Sequence, residues 1–232
     1  MVPTGIAEPV ASSGVNTIIR TGPRVHQGFY DDSVLPAFSS PTSLLGLQLK
    51  LAIGENWRPT GYVGASWPNV AISFTNYTIT IAKATAQLNT DGEFLSLTPT
   101  FNSYLASPVV VYNAPLVIPA NAFQADGGLT GVHSFTTLAT FSTPFVIDPG
   151  DSLVVQVRHT GYGVVGTPLN AFFATAPFSN GAVDAISATS GATAAVPSGF
   201  SSPYIFNFVI PEPAALSLLA PALPLLGRRR KA

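Results

Sequence analysis

The chain has 232 residues, no cysteine, 9% charged residues and a formal charge of −1. The missing cysteines exclude disulfide frameworks, thiol chemistry and cysteine–zinc sites, and the near-neutral balance excludes the basic field that a nucleic-acid partner needs. An apolar content of 47% is ample for a core that folds without cross-links.

The N-terminus opens Met1-Val2-Pro3-Thr4-Gly5, with neither the basic nor the apolar region of a signal peptide. Strands are expected at residues 15–20 and 25–30, the second followed by Asp31-Asp32. Residues 45–53 place Leu45, Leu47, Leu49, Leu51 and Ile53 on one face, the period-2 pattern of a half-buried strand. Residues 55–64 read as a long loop carrying Trp57 and Tyr62, and Trp67 follows it. In residues 72–81, Ile72 and Phe74 share one parity while Tyr77, Ile79 and Ile81 take the other, so a bulge is expected at Thr75-Asn76.

Further strands are expected at 93–101, 108–118, 132–141, 153–158, 171–175, 183–188 and 204–210. Asp91-Gly92, Asp126-Gly127-Gly128 and Asp148-Pro149-Gly150-Asp151 punctuate them as turns. Residues 187–202, rich in Ala, Ser, Thr and Gly, read as a surface loop or a poor strand. No stretch of the body has helical periodicity beyond about two turns. The expected fold is all-β: a single β-sandwich, jelly-roll-like, of about ten strands over residues 1–208, plus a short C-terminal hydrophobic helix or tail.

Acid–base chemistry is sparse. The histidines are His26, His133 and His159; His159 ends a predicted strand, where it is a base or metal ligand at a sheet rim or, more economically, a strand-end polar residue. There is no Gly-x-Ser-x-Gly elbow and no His-Glu-x-x-His. Asp31 and Asp32 can pair their carboxylates only in a loop, because adjacent strand residues face opposite ways. Asp148 and Asp151 can supply oxygens to a structural calcium ion, though a β-turn explains the same residues more simply. Otherwise no cofactor or metal is expected, and the body is expected not to be an enzyme. Trp57, Tyr62 and Trp67, with Tyr104, can stack on sugar rings as in a carbohydrate-binding module, against the plainer reading that they pack.

Residues 209–232 have three parts in order. Pro211-Glu212-Pro213 holds the backbone extended and lacks two amide donors. Residues 214–226 are apolar apart from Ser217. Arg228, Arg229, Arg230 and Lys231 resist translocation and favour the cytoplasmic side. Residues 211–232 carry 4 Lys+Arg against 1 Glu, while residues 1–210 carry 6 Lys+Arg against 10 Asp+Glu.

This order resembles the PEP-CTERM sorting signal of Gram-negative bacteria. The resemblance implies recognition of Pro211, Glu212 and Pro213 by an exosortase, a membrane protease, with residues 214–226 in the inner membrane and Arg228 to Lys231 as the stop. The apolar run is 13 residues and contains Pro221 and Pro224. A helix of that length spans roughly 20 Å against a hydrocarbon core of roughly 30 Å, so a weak, transient anchor is expected. In the body, Trp67-Pro68-Asn69-Val70, Ile118-Pro119-Ala120-Asn121 and Gly150-Asp151-Ser152-Leu153 are among landmarks similar to uncharacterised PEP-CTERM proteins of planctomycete and verrucomicrobial bacteria. That likeness implies a secreted all-β domain and no particular activity.

The expectation is therefore an exported protein, transiently anchored in the inner membrane and then at the cell surface or in the extracellular matrix, with exopolysaccharide as a partner. A signal peptide is expected upstream of Met1 or already removed. The alternatives are a carbohydrate-binding module and a self-assembling surface subunit.

Overall fold

The computed structural model describes residues 14–15, 17–51, 66–84, 100–124, 133–163, 173–174, 183–188, 191–201 and 203–211. The parity slip in the Ile72 to Ile81 run becomes strand β4 (Ile72–Ala84), which pairs antiparallel with β5 (Leu105–Ile118). Phe74 faces Leu116 and Tyr77 faces Ala114, so Thr75 and Asn76 stand opposite the single residue Pro115. That bulge turns Phe74 and Tyr77 into the same core despite their opposite parity.

The other strands are β1 (Gly14–Val15), β2 (Arg24–Tyr30), β3 (Thr42–Leu49), β6 (Thr136–Ile147), β7 (Leu153–His159), β8 (Phe173–Ala174), β9 (Val183–Ala188), β10 (Gly199–Phe200) and β11 (Asn207–Val209). They form a six-stranded sheet β10-β9-β2-β7-β4-β5, a three-stranded sheet β11-β3-β6 and a small pair β1-β8, with every pairing antiparallel. The described residues are all-β, relieved only by 3-10 turns at Asp32–Val34 and Phe101–Tyr104.

The two larger sheets share one core. Leu44, Leu47 and Leu49 of β3 and Phe141, Phe145 and Ile147 of β6 join Ile79 and Ile81 of β4 and Val155 and Val157 of β7. On the other face of the six-stranded sheet, Val25, Phe29, Val154 and Ile186 pack with Phe101 and Tyr104 in a second cluster. Residues 191–201 help to cover that face: Phe101 N–H donates to the Ala195 carbonyl at 2.9 Å, and Ala194 packs on the cluster. The segment read as loop or poor strand is thus a covering loop that ends in β10.

In the sequence Leu153, Val155 and Val157 alternate with Val154, Gln156 and Arg158, the pattern of a half-buried strand. In β7, however, Leu153, Val154, Val155, Gln156 and Val157 are all buried, because both of its faces are covered. Leu45 was expected on the core face. A register shift between Leu44 and Gly46 puts Leu44 there instead, and Leu45 is only half-buried. The strand begins at Thr42 and ends at Leu49, earlier than the alternation suggested. β6 runs on to Ile147 through Pro144, which is tolerated because β6 is an edge strand, as is β5 with Pro108 and Pro115. Of the stretch expected at 15–20 only Gly14–Val15 pairs as strand, and of 204–210 only Asn207–Val209 is continuous strand. Residues 93–99 lie outside the described residues, and so does the tail from Glu212.

Gly161 has φ +82°, and a Cβ there would stand 2.1 Å from the Thr21 carbonyl oxygen. Gly150 has φ +81° with nothing within 4 Å. We expect Gly161→Ala to cost about 2–4 kcal/mol, left-handed strain plus overpacking, and Gly150→Ala about 1–2 kcal/mol, strain alone. Urea unfolding of the two variants measures the difference; equal losses would refute the close approach.

Candidate functional site

The chain leaves the fold through β11. Tyr204, Phe206 and Phe208 bury their rings in the main core, as the alternation required, and Phe206 lies 6.4 Å from Phe208 between ring centres. Asn207, Phe208 and Val209 pair with Gln48, Leu47 and Gly46 at the sheet edge. Asn207 Nδ2 donates to Gln48 Oε1, and Gln48 Nε2 donates to Thr137 Oγ1 at 3.2 Å. The result is a polar ladder across all three strands, none of which contains a charged residue. A Cβ on Gly46 would come within 2.9 Å of the Ala139 carbonyl and 3.2 Å of Val209, so glycine lets β11 lie close. Ile210 still packs against the core, and Pro211 is exposed. Glu212, Pro213, Arg228, Arg229, Arg230 and Lys231 lie outside the described residues.

A second cluster of polar chemistry is internal. His159 ends β7, and its Nδ1 accepts from Gly161 N–H at 3.0 Å. The ring proton therefore sits on Nε2, which donates to the Thr17 carbonyl at 2.8 Å. Tyr77 stacks on His159 at 5.7 Å, and its hydroxyl donates to the Ile18 carbonyl at 3.0 Å. Ile18 N–H donates to the Tyr204 hydroxyl at 3.1 Å, and Tyr30 donates to the Tyr204 carbonyl at 2.8 Å. These side chains do for residues 17–18 what a neighbouring strand would otherwise do, so Ile18 and Ile19 stay buried without a ladder. His26 lies edge-on to Tyr204 at 4.8 Å, is 0% exposed, and has no hydrogen-bond partner on either ring nitrogen.

Burial holds both rings neutral. His26 is lowered to about 3, by desolvation and then by the charge of His159. His159 is lowered to about 4 by desolvation, against the raising effect of its bond to Thr17, with the charge of Arg24 lowering it further. His133 is also buried. The geometry gives His159 the work of fastening a segment, and it does not reach a sheet rim open to solvent.

Asp31 caps the 3-10 turn through its Oδ1, which accepts from Ser33 N–H at 3.0 Å. The two carboxyls do meet in a loop: slight desolvation, then the Asp31 carboxyl by hydrogen bond and charge, raises Asp32. Asp148 and Asp151 form a turn closed by Asp151 N–H to the Asp148 carbonyl at 3.2 Å, with Pro149 and Gly150 at the positions a type II turn favours. The cation between their carboxylates is Lys83, whose Nζ is 2.7 Å from Asp148 and 2.8 Å from Asp151. Among the described residues no three His, Asp or Glu side chains converge as metal ligands would. Asp126 lies outside the described residues.

Of the aromatic residues considered for sugar stacking, Trp57 and Tyr62 lie outside the described residues. Trp67 is 1% exposed and packs on Phe123 at 5.9 Å, held by backbone bonds in both directions. Its ring faces are taken by the core, which is the packing alternative and corrects its placement in a sugar platform. Tyr104 is likewise buried, edge-on to Phe29 at 5.2 Å. Sequence reasoning missed the phenol contacts to residues 17–18 and the Asn207–Gln48–Thr137 ladder. Only the polar Gln48 amid leucines signalled the latter.

No family model, curated protein or solved structure matches the chain.

The two histidines make stability pH-dependent. Their folded pKa values of about 3 and about 4 lie below the ordinary value of 6.5. The unfolded state therefore binds protons first, so their stabilisation is complete above about 6.5 and is lost as pH falls toward the folded values. Between pH 6 and pH 5 each histidine should contribute a slope of about 1 kcal/mol per pH unit. His26→Phe, which sacrifices no hydrogen bond, should roughly halve that slope in urea titrations. An unchanged slope would show that His26 is not held neutral.

Proposed function

We propose that this chain is an exported bacterial surface or matrix protein whose residues 209–232 form a PEP-CTERM-type sorting signal. The observation that carries the reading is the position of Pro211, exposed where edge strand β11 leaves the sheet and one residue beyond the packed Ile210. A tripeptide for an exosortase-like membrane protease has to begin outside the fold, and this one does. The ordered sequence of tripeptide, apolar run and basic end supports the rest. Residues 214–226 hold the chain at the inner membrane, Arg228 to Lys231 remain on the cytoplasmic side, and cleavage frees the body.

The body is, on this reading, a jelly-roll-like β-sandwich without catalysis of its own, placed at the surface with exopolysaccharide. Two antiparallel sheets around a common core support the architecture. The buried state of His26 and His159, and the engagement of Asp148 and Asp151 with Lys83, support a passive role. A surface protein without cysteine has to rely on such packing for persistence.

One observation favours a second reading, self-assembly: edge strands β5 and β6 expose Val110, Val117 and Val146. A concentration-dependent rise in sedimentation coefficient is the expected result for an assembling subunit, and a strict monomer at high concentration removes that reading.

Mass spectrometry of the mature C-terminus in an exosortase-bearing host tests the main reading. The wild-type protein should lose Arg228 to Lys231, and a variant with Pro211, Glu212 and Pro213 replaced by alanine should keep them and stay with the membrane. An intact basic end in both would sink it.

A further inference from the structure

We propose that strand β11 is a stop that fixes where the processed chain ends, confining cleavage to bonds C-terminal to Pro211. The inference rests on the sorting reading above and deepens it by naming what limits the enzyme's reach.

Proteases bind their substrates extended, reading side chains on both sides of the scissile bond. Pro211 lies two residues beyond Val209, so at most about 7 Å of chain separates it from the end of the sheet. Upstream, the side chains are engaged in the fold. Phe208 is 4% exposed in the main core. Asn207 is tied to Gln48, Val209 sits against Gly46, and Ile210 packs on the core. Among the described residues β11 pairs only with β3, which leaves its other backbone edge without a partner strand. An enzyme can therefore approach the strand, but to grip it must draw Phe208 out of the core. Withdrawing a buried phenylalanine disfavours the gripped form by roughly ten- to a hundredfold. Downstream of Pro211, gripping Glu212 and Pro213, four and five residues beyond Phe208, does not call for that withdrawal. At whichever of those bonds the cut falls, one peptide C–N bond breaks, the carbonyl carbon takes the oxygen of water, and the new amino terminus takes the proton.

Phe208 is thus a positioning residue for processing: it acts on the outcome through the strand it anchors.

Thermolysin supplies a test independent of any exosortase, because it cuts before large apolar residues. Such residues occur on both sides of Pro211: Phe208, Val209 and Ile210 upstream, and Leu216, Leu218 and Leu219 downstream. The full-length protein in mild detergent should be trimmed within the tail, with the bonds from Tyr204 to Ile210 cut at least tenfold more slowly. Phe208→Ala should shift the trimmed end upstream of Pro211, and Phe208→Leu should restore it. A third variant leaves β11 intact, with Gly-Ser-Leu-Gly inserted between Ile210 and Pro211. Its inserted leucine should be cut as fast as the tail. Cutting before Phe208 or Val209 of the wild type at the tail's rate would overturn the proposal, and so would protection of the inserted leucine. In the exosortase-bearing host, a mature end upstream of Pro211 also overturns it. A tail left whole in that host refutes the sorting reading instead, while the thermolysin comparison still decides whether β11 is a stop.

Discussion

The double burial of β7 is the constraint on which the other elements depend. β7 pairs with β2 on one side and β4 on the other. Its Val155 and Val157 enter the core shared with the three-stranded sheet, while Val154 enters the cluster under Phe101 and Tyr104. A strand enclosed on both faces has to place its polar side chains against other parts of the fold. Gln156 Oε1 accepts from Arg158 Nε at 2.8 Å, and Arg158 Nη1 donates to the Ala192 and Ala194 carbonyls at 3.0 and 2.8 Å. The guanidinium thereby fastens the loop that covers this face, and its carbon lies over the Phe101 ring, 5.5 Å from the centroid. The low charge of the chain has its structural counterpart here, in a cation held by carbonyls and an aromatic face.

At the end of β7 the same economy recurs. His159 and Tyr77 are directly opposite in register, and both turn to the main core. Each spends its one outward hydrogen bond on residues 17–18. Tyr204, delivered by the last segment of the chain, takes the Ile18 amide. The N-terminal and C-terminal segments thus meet through side chains, 186 positions apart in sequence. A fold without disulfides gains closure from phenols and an imidazole. The cost is acid sensitivity, because a neutral imidazole is a condition of the arrangement.

Much of this was legible. Residues 25–30 and 183–188 fall where their β-branched and aromatic content put them, and the bulge at Thr75-Asn76 was announced by the parity slip. Leu45 misled because a register shift one residue away reverses its face, and such a shift depends on the partner strand. The alternation in β7 misled because the cover over its second face comes from Phe101–Tyr104 and residues 191–201, both distant in sequence. Residues 15–20 looked like a strand because they are apolar and branched; their partners are side chains that no local pattern reveals. For the candidate site the balance is reversed. Tripeptide, apolar run and basic end are read from sequence alone, and the structure contributes the seating of β11 and the exposure of Pro211.

That seating joins the two halves of the argument. An edge strand of three residues is short enough to leave little backbone exposed for unwanted pairing. It is nonetheless anchored by an aromatic ring in the core, an amide ladder and a glycine seat. Pro211, two residues beyond its end, disfavours continuation of the sheet, since it has no amide to donate. Burial therefore falls away over Phe208, Val209, Ile210 and Pro211, from a buried ring to an exposed proline. On the proposed sorting, a chain delivered folded and then cut from its anchor needs a firmly seated last strand. A loosely seated one would expose Phe206 and Phe208 to the same protease, and their loss would open the core of the three-stranded sheet.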